Sequence, residues 1–417
     1  MHRSLSFVLV LVLGSFAHAQ LKPGDKLAIT GDSITEQKQY SVFIQDYLLM
    51  CEPVDNVRTM QFGWGGETSW GFLARLDNDC LQFKPTIATT CFGMNDGGYG
   101  PLNPERFEKY KTATNGLVDA FEKSGVRVVL GSPGVVDQNT AMGKNRAKTD
   151  IYNQTLKSER DAVEVIAKER GVAFADVYTP MMDVMQKAEA KYGAGYHVAG
   201  ADGVHPWANG HLVMAYALLK ALGCDGNIAT ITLDLSNKKA TATEGQTVKS
   251  FDGNTLTIES SRYPFCFPID PKLEGKLDDP NNTRGALEFL PFNAELNRYR
   301  LVISDPPANS TVKITWGNSS KQFSAKDAAM GVNLAAEFLD NPFVEQFRKV
   351  DGVVREQQNF ETWMIKSLVH GVRYELPDEK KLLADTVAAS TKKQLMLSNR
   401  AADAVVPVTH TITIEIK

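Results

Sequence analysis

An α/β fold is predicted for the first half of the chain: a parallel sheet with helices on both faces, followed by a β-rich module. Three observations predict it. Between about Lys22 and Gly223, short apolar runs alternate with longer stretches of helical period. Glycine stands just past most of those stretches, the usual C-terminal stop of a helix. Beyond Cys224 the apolar period changes to two, with turn residues between short runs, which marks strands. Strands that alternate with helices need crossover connections, and these cover a parallel sheet on both sides.

The expected strands of the sheet are 26–30, 59–64, 86–92, 126–131 and 172–177. Helices are expected over 41–50, over 106–123 with a stop at Ser124-Gly125, over 150–169 before Gly171, and over 210–222 before Gly223. In the second half Ala229, Ile231, Leu233 and Leu235 alternate with Thr230, Thr232 and Asp234. Runs 248–251 and 255–259 flank Asp252-Gly253-Asn254, a hairpin signal. Runs 301–303 and 312–316 keep the period of two, and Ile412, Ile414 and Ile416 close the chain as a last strand. Helices are expected over 325–339 and 353–371. The organisation read from this pattern is an α/β domain over 20–224 and a β-rich module with packed helices over 225–417.

The chain has 417 residues, 43% hydrophobic and 23% charged, a composition that builds a large core and argues against disorder. Net charge is −4 with both signs scattered. No basic stripe points to nucleic acid, and no polybasic patch points to an anionic membrane. The N-terminus starts Met1-His2-Arg3, continues through the apolar run Phe7–Leu13 and ends at Ala17-His18-Ala19. That reads as a secretory signal peptide over residues 1–19, too short an apolar run for a membrane anchor. Export to the periplasm or outside the cell, with no anchor after cleavage, follows as an expectation. Five cysteines, Cys51, Cys80, Cys91, Cys224 and Cys266, are widely spaced without a CxxC pair, so no disulfide framework or zinc signature is present. Cys91 reads as a small core residue, and Cys51 and Cys80 could pair.

Three short polar or glycine-rich loops follow the first three expected strands: Gly31-Asp32-Ser33-Ile34, Gly65-Gly66-Glu67, and Gly93-Met94-Asn95-Asp96. In parallel sheets, reactive groups collect at those strand ends. A serine hydroxyl attacks at neutral pH only when a base takes its proton and a third group orients that base. Asp202-Gly203-Val204-His205-Pro206 offers an acid and an imidazole three positions apart. Ser33 with His205 and Asp202 therefore points to serine hydrolysis. The Ser33 and Gly66 amides and the neutral Asn95 side chain are candidate donors to a developing oxyanion. Each segment alone is equally at home in an ordinary turn. His211 competes as base but falls inside the next helix, His197 has no acid at suitable spacing, and His370 and His410 lie far off in the second module.

Together the segments resemble the SGNH/GDSL hydrolase superfamily, in the order of its blocks. Gly31-Asp32-Ser33-Ile34 matches the first block, Gly66 the second, Gly93-Met94-Asn95-Asp96 the third and Asp202-Gly203-Val204-His205-Pro206 the fifth, within residues 26–223. The resemblance implies a three-layer α/β/α sandwich on a five-stranded parallel sheet, the flavodoxin-like SGNH fold. It implies Ser33 as nucleophile, His205 as base, Asp202 as the group orienting it, and Ser33, Gly66 and Asn95 as the oxyanion hole. Trp64-Gly65 stands where relatives often carry other residues, which bears on loop shape and substrate fit.

The expectation is an exported serine esterase, with no metal or cofactor, acting on a small-molecule or polysaccharide ester. A carbohydrate O-acetylesterase is favoured because Trp64, Trp70, Tyr99 and Trp207 in or beside the loops could stack on sugar rings. A lysophospholipase or short-chain arylesterase, and a non-catalytic glycan-binding protein on the same scaffold, are the alternatives. The acyl group and the oligomeric state are not legible.

Overall fold

The computed structural model describes residues 20–137, 140 and 146–417; the expected leader lies outside the described residues. Strands β1 (Lys26–Gly31), β2 (Arg58–Gln61), β3 (Ile87–Cys91), β4 (Arg127–Gly131) and β5 (Ala173–Ala175) form a sheet of order β2-β1-β3-β4-β5. All neighbouring pairs are parallel. The chain builds first to one side of β1 and then crosses to the other. That reversal opens a crevice at the carboxyl ends of β1 and β3.

Helices α1 (Ser33–Glu36), α2 (Tyr40–Met50), α3 (Ser69–Asp79), α4 (Pro104–Lys123), α5 (Arg146–Arg170), α6 (Tyr178–Tyr192) and α7 (Ala208–Ala221) connect the strands or follow them. Alternate strand residues enter opposite cores, as the two-residue pleat requires. Leu27, Ile29, Ile87 and Val129 pack with residues of α2, α6 and α7. Ala28, Met60, Ala88, Val128 and Leu130 pack with α3, α4 and the C-terminal half of α5. The three layers expected from the resemblance are therefore present.

The C-terminal part contains two further sheets. One, of order β13-β10-β6-β7, is built from β6 (Asn227–Asp234), β7 (Lys239–Ala242), β10 (Arg298–Ser304) and β13 (Val332–Asn333). The other, antiparallel and of order β12-β11-β14-β9-β8, is built from β8 (Gln246–Phe251), β9 (Thr255–Ser260), β11 (Thr311–Trp316), β12 (Ser319–Ser324) and β14 (Val408–Ile416). Asp252 makes the β8–β9 turn by accepting the Asn254 and Thr255 amides at 2.8 and 2.7 Å. The core on the α2/α7 face runs unbroken into these strands through Ile231, Leu233, Tyr299 and Trp316.

Two long helices, Val344–Trp363 and Lys380–Asp403, return to the first sheet: the first packs on α2 and the edge strand β2, and the second packs on the first. This explains why α2 is buried on almost every side; a helix covered all round needs no polar stripe. A polar chain crosses this contact. Ser41 Oγ donates to Gln358 Oε1 at 2.7 Å, Gln358 Nε2 to Gln45 Oε1 at 2.8 Å, and Gln45 Nε2 to Gln357 Oε1 at 2.8 Å. Gln357 Nε2 donates in turn to Glu361 Oε1 at 2.8 Å, and Glu361 Oε2 accepts the Gln61 amide of β2 at 3.0 Å. Satisfied buried networks of this kind fix one register, because a slip would strand several polar groups. Burial raises the Glu361 carboxyl to about 7.

Several expectations are corrected. Helix α3 was not anticipated: Gly71 and the Asp77-Asn78-Asp79 run are poor helix formers, but Thr68 caps it by accepting the Gly71 amide at 3.2 Å, and Phe72 and Leu76 are buried. Helix α6 is likewise absent from the expectations; Pro180 stands in its first turn, where proline is tolerated. The helix expected over 325–339 breaks at Gly331, where β13 pairs with β10. The helix expected over 353–371 starts at Val344 and winds as a π-helix through Met364–His370. Cys51 and Cys80 do not pair. All five cysteines are reduced and buried, with Cys51 and Cys80 in cores on opposite faces of the sheet.

Candidate active site

Strand β1 ends at Gly31, and Asp32 turns the chain into α1. The Asp32 carboxyl caps that turn by accepting the Ile34 amide at 2.9 Å. Ser33 is the first helical residue, where backbone amides have no intrahelical acceptor. Burial, reinforced by the Asp96 and Glu67 charges, raises the Asp32 carboxyl to about 7 although the Ile34 amide opposes the shift.

Asp202, Gly203, Val204 and His205 form a compact turn before α7. Asp202 Oδ1 accepts the Val204 and His205 amides, both at 2.9 Å. Its Oδ2 lies 2.6 Å from His205 Nδ1, and His205 Nε2 lies 2.8 Å from Ser33 Oγ. Three groups that are 172 residues apart at the extremes thus form one hydrogen-bonded chain. Gly203 sits at φ +82°, and a side chain there would run into Thr140. Partial burial works against the Asp202 carboxylate, but the His205 amide and ring and the Val204 amide outweigh it and hold the carboxyl below its usual range.

The second and third loops close the other side. Gly66 has φ +73°, a conformation that side-chain-bearing residues rarely adopt. Asn95 donates from Nδ2 to the Glu67 carbonyl at 3.0 Å, and its Oδ1 accepts the Tyr99 hydroxyl at 2.9 Å. With Oδ1 held by a donor, the amide is fixed with its NH₂ toward the second loop. Tyr99 itself has φ +58°, a strained conformation for a tyrosine. Burial pushes its hydroxyl up to about 12, keeping it a donor. Asp96 is buried and knits the loops together. One oxygen accepts the Ser69 amide and hydroxyl at 2.8 and 2.5 Å, the other the Gly93 amide at 3.0 Å. Arg106 braces the same loop on the Asn95 and Asp96 carbonyls, both at 2.7 Å.

The remaining histidines separate clearly. His211 is fully buried; its Nδ1 accepts the Tyr40 amide at 3.3 Å, its Nε2 pairs with Gln37 Oε1 at 2.9 Å, and burial depresses its pKa to about 3. His197 does have an acidic neighbour, Asp137, at 3.4 Å, a partner the spacing could not reveal. His410 stays remote, in a buried cluster with Ser260, Tyr299 and Trp316. His370 is not remote: its ring packs against Trp64 at 4.7 Å and its Nδ1 pairs with Asp79 at 2.7 Å. The aromatic residues also sort themselves. Trp64 carries Arg75 and Lys366 over its ring, and Trp70 carries Arg106 and Lys109, so cations already occupy faces expected to stack on sugars. Tyr99 is 40% exposed, and Trp207 is half-buried.

Sequence reasoning missed Asp96, Tyr99 and Arg106 as supports of Asn95, and Glu36, Arg75, Asp79 and Lys366 as supports of the Gly65-Gly66 loop. Asp96 and Tyr99 lie within four residues of Asn95, so proximity was a usable signal there. Nothing in the sequence connects Lys366 to Glu36. Among the described residues there is no group of three or more metal-ligating side chains, and no helix long and apolar enough to cross a membrane.

Residues 29–213 match the sequence model of the GDSL-like Lipase/Acylhydrolase family. An acetylxylan esterase of Geobacillus stearothermophilus is 24% identical over 222 residues, which span 48% of this chain and 94% of that esterase. The solved structure of a gut microbial diltiazem-metabolizing enzyme shares the fold across both halves. Its TM-score is 0.71 at 23% identity, over 95% of this chain and 99% of that one.

Proposed function

We propose that the chain is an ester hydrolase of the GDSL-like lipase/acylhydrolase family, whose model matches residues 29–213, that Ser33, His205 and Asp202 are its catalytic triad and that it works through an acyl-enzyme. The observation that carries this reading is the unbroken hydrogen-bonded chain from Asp202 through His205 to Ser33. His205 Nε2 takes the Ser33 proton as Oγ attacks the ester carbonyl. The resulting oxyanion is received by the Ser33 and Gly66 amides and the Asn95 NH₂. His205 then gives its proton to the departing alcohol, leaving Ser33 acylated. A water attacks the acyl group by the same route in reverse, releasing the acid and restoring the Ser33 hydroxyl. Asp202 fixes the imidazole tautomer and stabilises the imidazolium in each half-reaction.

The substrate class we propose is an O-acetylated carbohydrate met outside the cytoplasm. Two features support it: the signal-like N-terminus, and the acetylxylan esterase among the relatives. The aromatic argument is weaker than the sequence implied, since cations cover Trp64 and Trp70 and leave Tyr99 and Trp207 as candidate sugar platforms. Acetate release from a panel of acetylated polysaccharides, compared with p-nitrophenyl acetate, tests the substrate. Turnover of the small ester with no release from any polysaccharide would favour the arylesterase reading. Equal turnover by the wild type and Ser33→Ala would remove the triad. Mass spectrometry of protein recovered from the secreted fraction should show a chain starting at Gln20.

A further inference from the structure

We propose that the π-wound segment Met364–His370 of the C-terminal helix is a positioning device for the oxyanion loop, acting through Lys366 and His370. The proposal rests on the reading of Gly66 and Asn95 as oxyanion donors. Met364, Ile365 and Val369 of the segment are buried in the core of the α3/α4 face. Two polar residues of the same segment, Lys366 and His370, reach the loop that carries Gly66. π-winding inserts an extra residue per turn and re-aims the side chains that follow, and it recurs at functional sites.

Two chains of contacts run from this segment to the two flanks of Gly66. On one side Lys366 Nζ pairs with Glu36 Oε1 at 2.7 Å, and Glu36 Oε2 accepts the Gly65 amide. Glu36 lies on the same helical turn as Ser33, and Lys38 Nζ donates to its carbonyl at 2.7 Å. On the other side His370 Nδ1 pairs with Asp79 at 2.7 Å, Asp79 holds Arg75 at 3.2 Å, and Arg75 Nε holds Glu67 at 2.6 Å. The Glu67 carbonyl receives the Asn95 side chain. Trp64 lies between the chains, with Lys366 Nζ 4.8 Å from its ring and the His370 ring at 4.7 Å. The residues before and after Gly66 are thus each tied, by one chain, to one helix that comes from the other half of the molecule.

The Lys366–Glu36 pair is partly exposed, its side chains retaining 33% and 24% of their accessibility. Pairs of that kind contribute little to folding, so its value is better sought in geometry. An oxyanion donor displaced by about 1 Å can cost on the order of 100-fold in rate. Lys366 is then a positioning residue, and its loss should appear in kcat rather than in KM or stability.

The test uses the full chain and p-nitrophenyl acetate, with Ser33→Ala measured alongside. Lys366→Met is expected to lower kcat about 10- to 100-fold, leave KM within about threefold and leave Tm nearly unchanged. Inhibition by phenylboronic acid, which forms a tetrahedral adduct with a reactive serine, should weaken in step with kcat/KM. Lys366→Arg should recover most of the rate, and Glu36→Gln combined with Lys366→Met should be no worse than the poorer single variant, as expected of one relay. A wild-type kcat in Lys366→Met, or a loss of rate that follows a loss of Tm and is not relieved by arginine, would overturn the proposal while leaving an inactive Ser33→Ala, and hence the triad, intact. Full activity in Ser33→Ala would remove both.

Discussion

His205 Nε2 stands 2.8 Å from Ser33 Oγ, although the two residues come from loops at opposite ends of the α/β half of the chain. The serine leaves β1 and the histidine precedes α7, and the parallel sheet brings both to the same edge. Replacing Ser33 or His205 by alanine is expected to lower kcat for p-nitrophenyl acetate by on the order of 10⁶. Asp202→Asn should cost about 10⁴ through the wrong imidazole tautomer. The Ser33/His205 double variant should be no slower than either single one, and stopped-flow and steady-state rates on the purified variants check this.

The Tyr99 hydroxyl fixes the Asn95 amide by donating to its oxygen. Asn95→Ala is expected to lower kcat about 10²–10³-fold, the usual loss for one oxyanion donor. Tyr99→Phe frees the amide to rotate and should cost about tenfold in kcat with little change in KM. An unaltered kcat in Tyr99→Phe would show that the amide is held by Glu67 alone.

Gly66 offers a clean separation of sterics from backbone conformation. Nothing lies within 4 Å of where a Cβ would stand, yet φ is +73°. Gly66→Ala should therefore cost about 1–2 kcal/mol from left-handed strain or relax to a conformation that moves its amide. Calorimetry should show a Tm lower by a few degrees, and kcat should fall at least tenfold.

Acid stability should report His410, which burial holds at about 4. Its Nδ1 accepts the Trp316 indole at 3.1 Å and its Nε2 faces Ser260 and Tyr299. The folded pKa lies below the unfolded value of about 6.5, so between those values the unfolded chain binds a proton that the folded one refuses. Stability then falls as pH drops from about 6.5 to about 4, by about 3 kcal/mol from this group. His211, depressed to about 3, adds a loss of the same sign. His410→Phe should be about 1–3 kcal/mol less stable at pH 7, because Trp316 loses its acceptor, but its urea midpoint should change less between pH 7 and pH 4.5 than that of the wild type.

The sheet and the loops of its candidate site were legible because their signals are local. Strands β1, β3, β4 and β5 each carry a short apolar run, and the loops bearing Ser33 and Asn95 follow β1 and β3 directly; β2 is the polar exception, Arg58-Thr59-Met60-Gln61. Helix α3 was not legible, because its propensity is poor and its stability comes from a Thr68 cap and the burial of Phe72 and Leu76. The helix Lys380–Asp403 was hidden because it buries few of its residues, among them Ser390, Leu397 and Ala401. His197 was set aside for want of an acid nearby in the chain, whereas Asp137 reaches it only through folding. The histidine placed far from the site by chain position, His370, sits against Trp64.

By itself, the sequence determined the α/β alternation, the chemistry-bearing loops and the acid–imidazole turn, since periodicity and short-range hydrogen bonding need only neighbours along the chain. Tertiary structure alone decided that cations cover Trp64 and Trp70, that Tyr99 and Glu67 fix Asn95, and that Lys366 reaches Glu36. Apart from the Tyr99–Asn95 bond, which spans four residues, those contacts join residues whose separation in the chain carries no periodic signal. The Lys366 contacts exist because the helix Val344–Trp363 packs over α2 and β2 and carries the segment after it to the Glu36 carboxylate and the Trp64 ring.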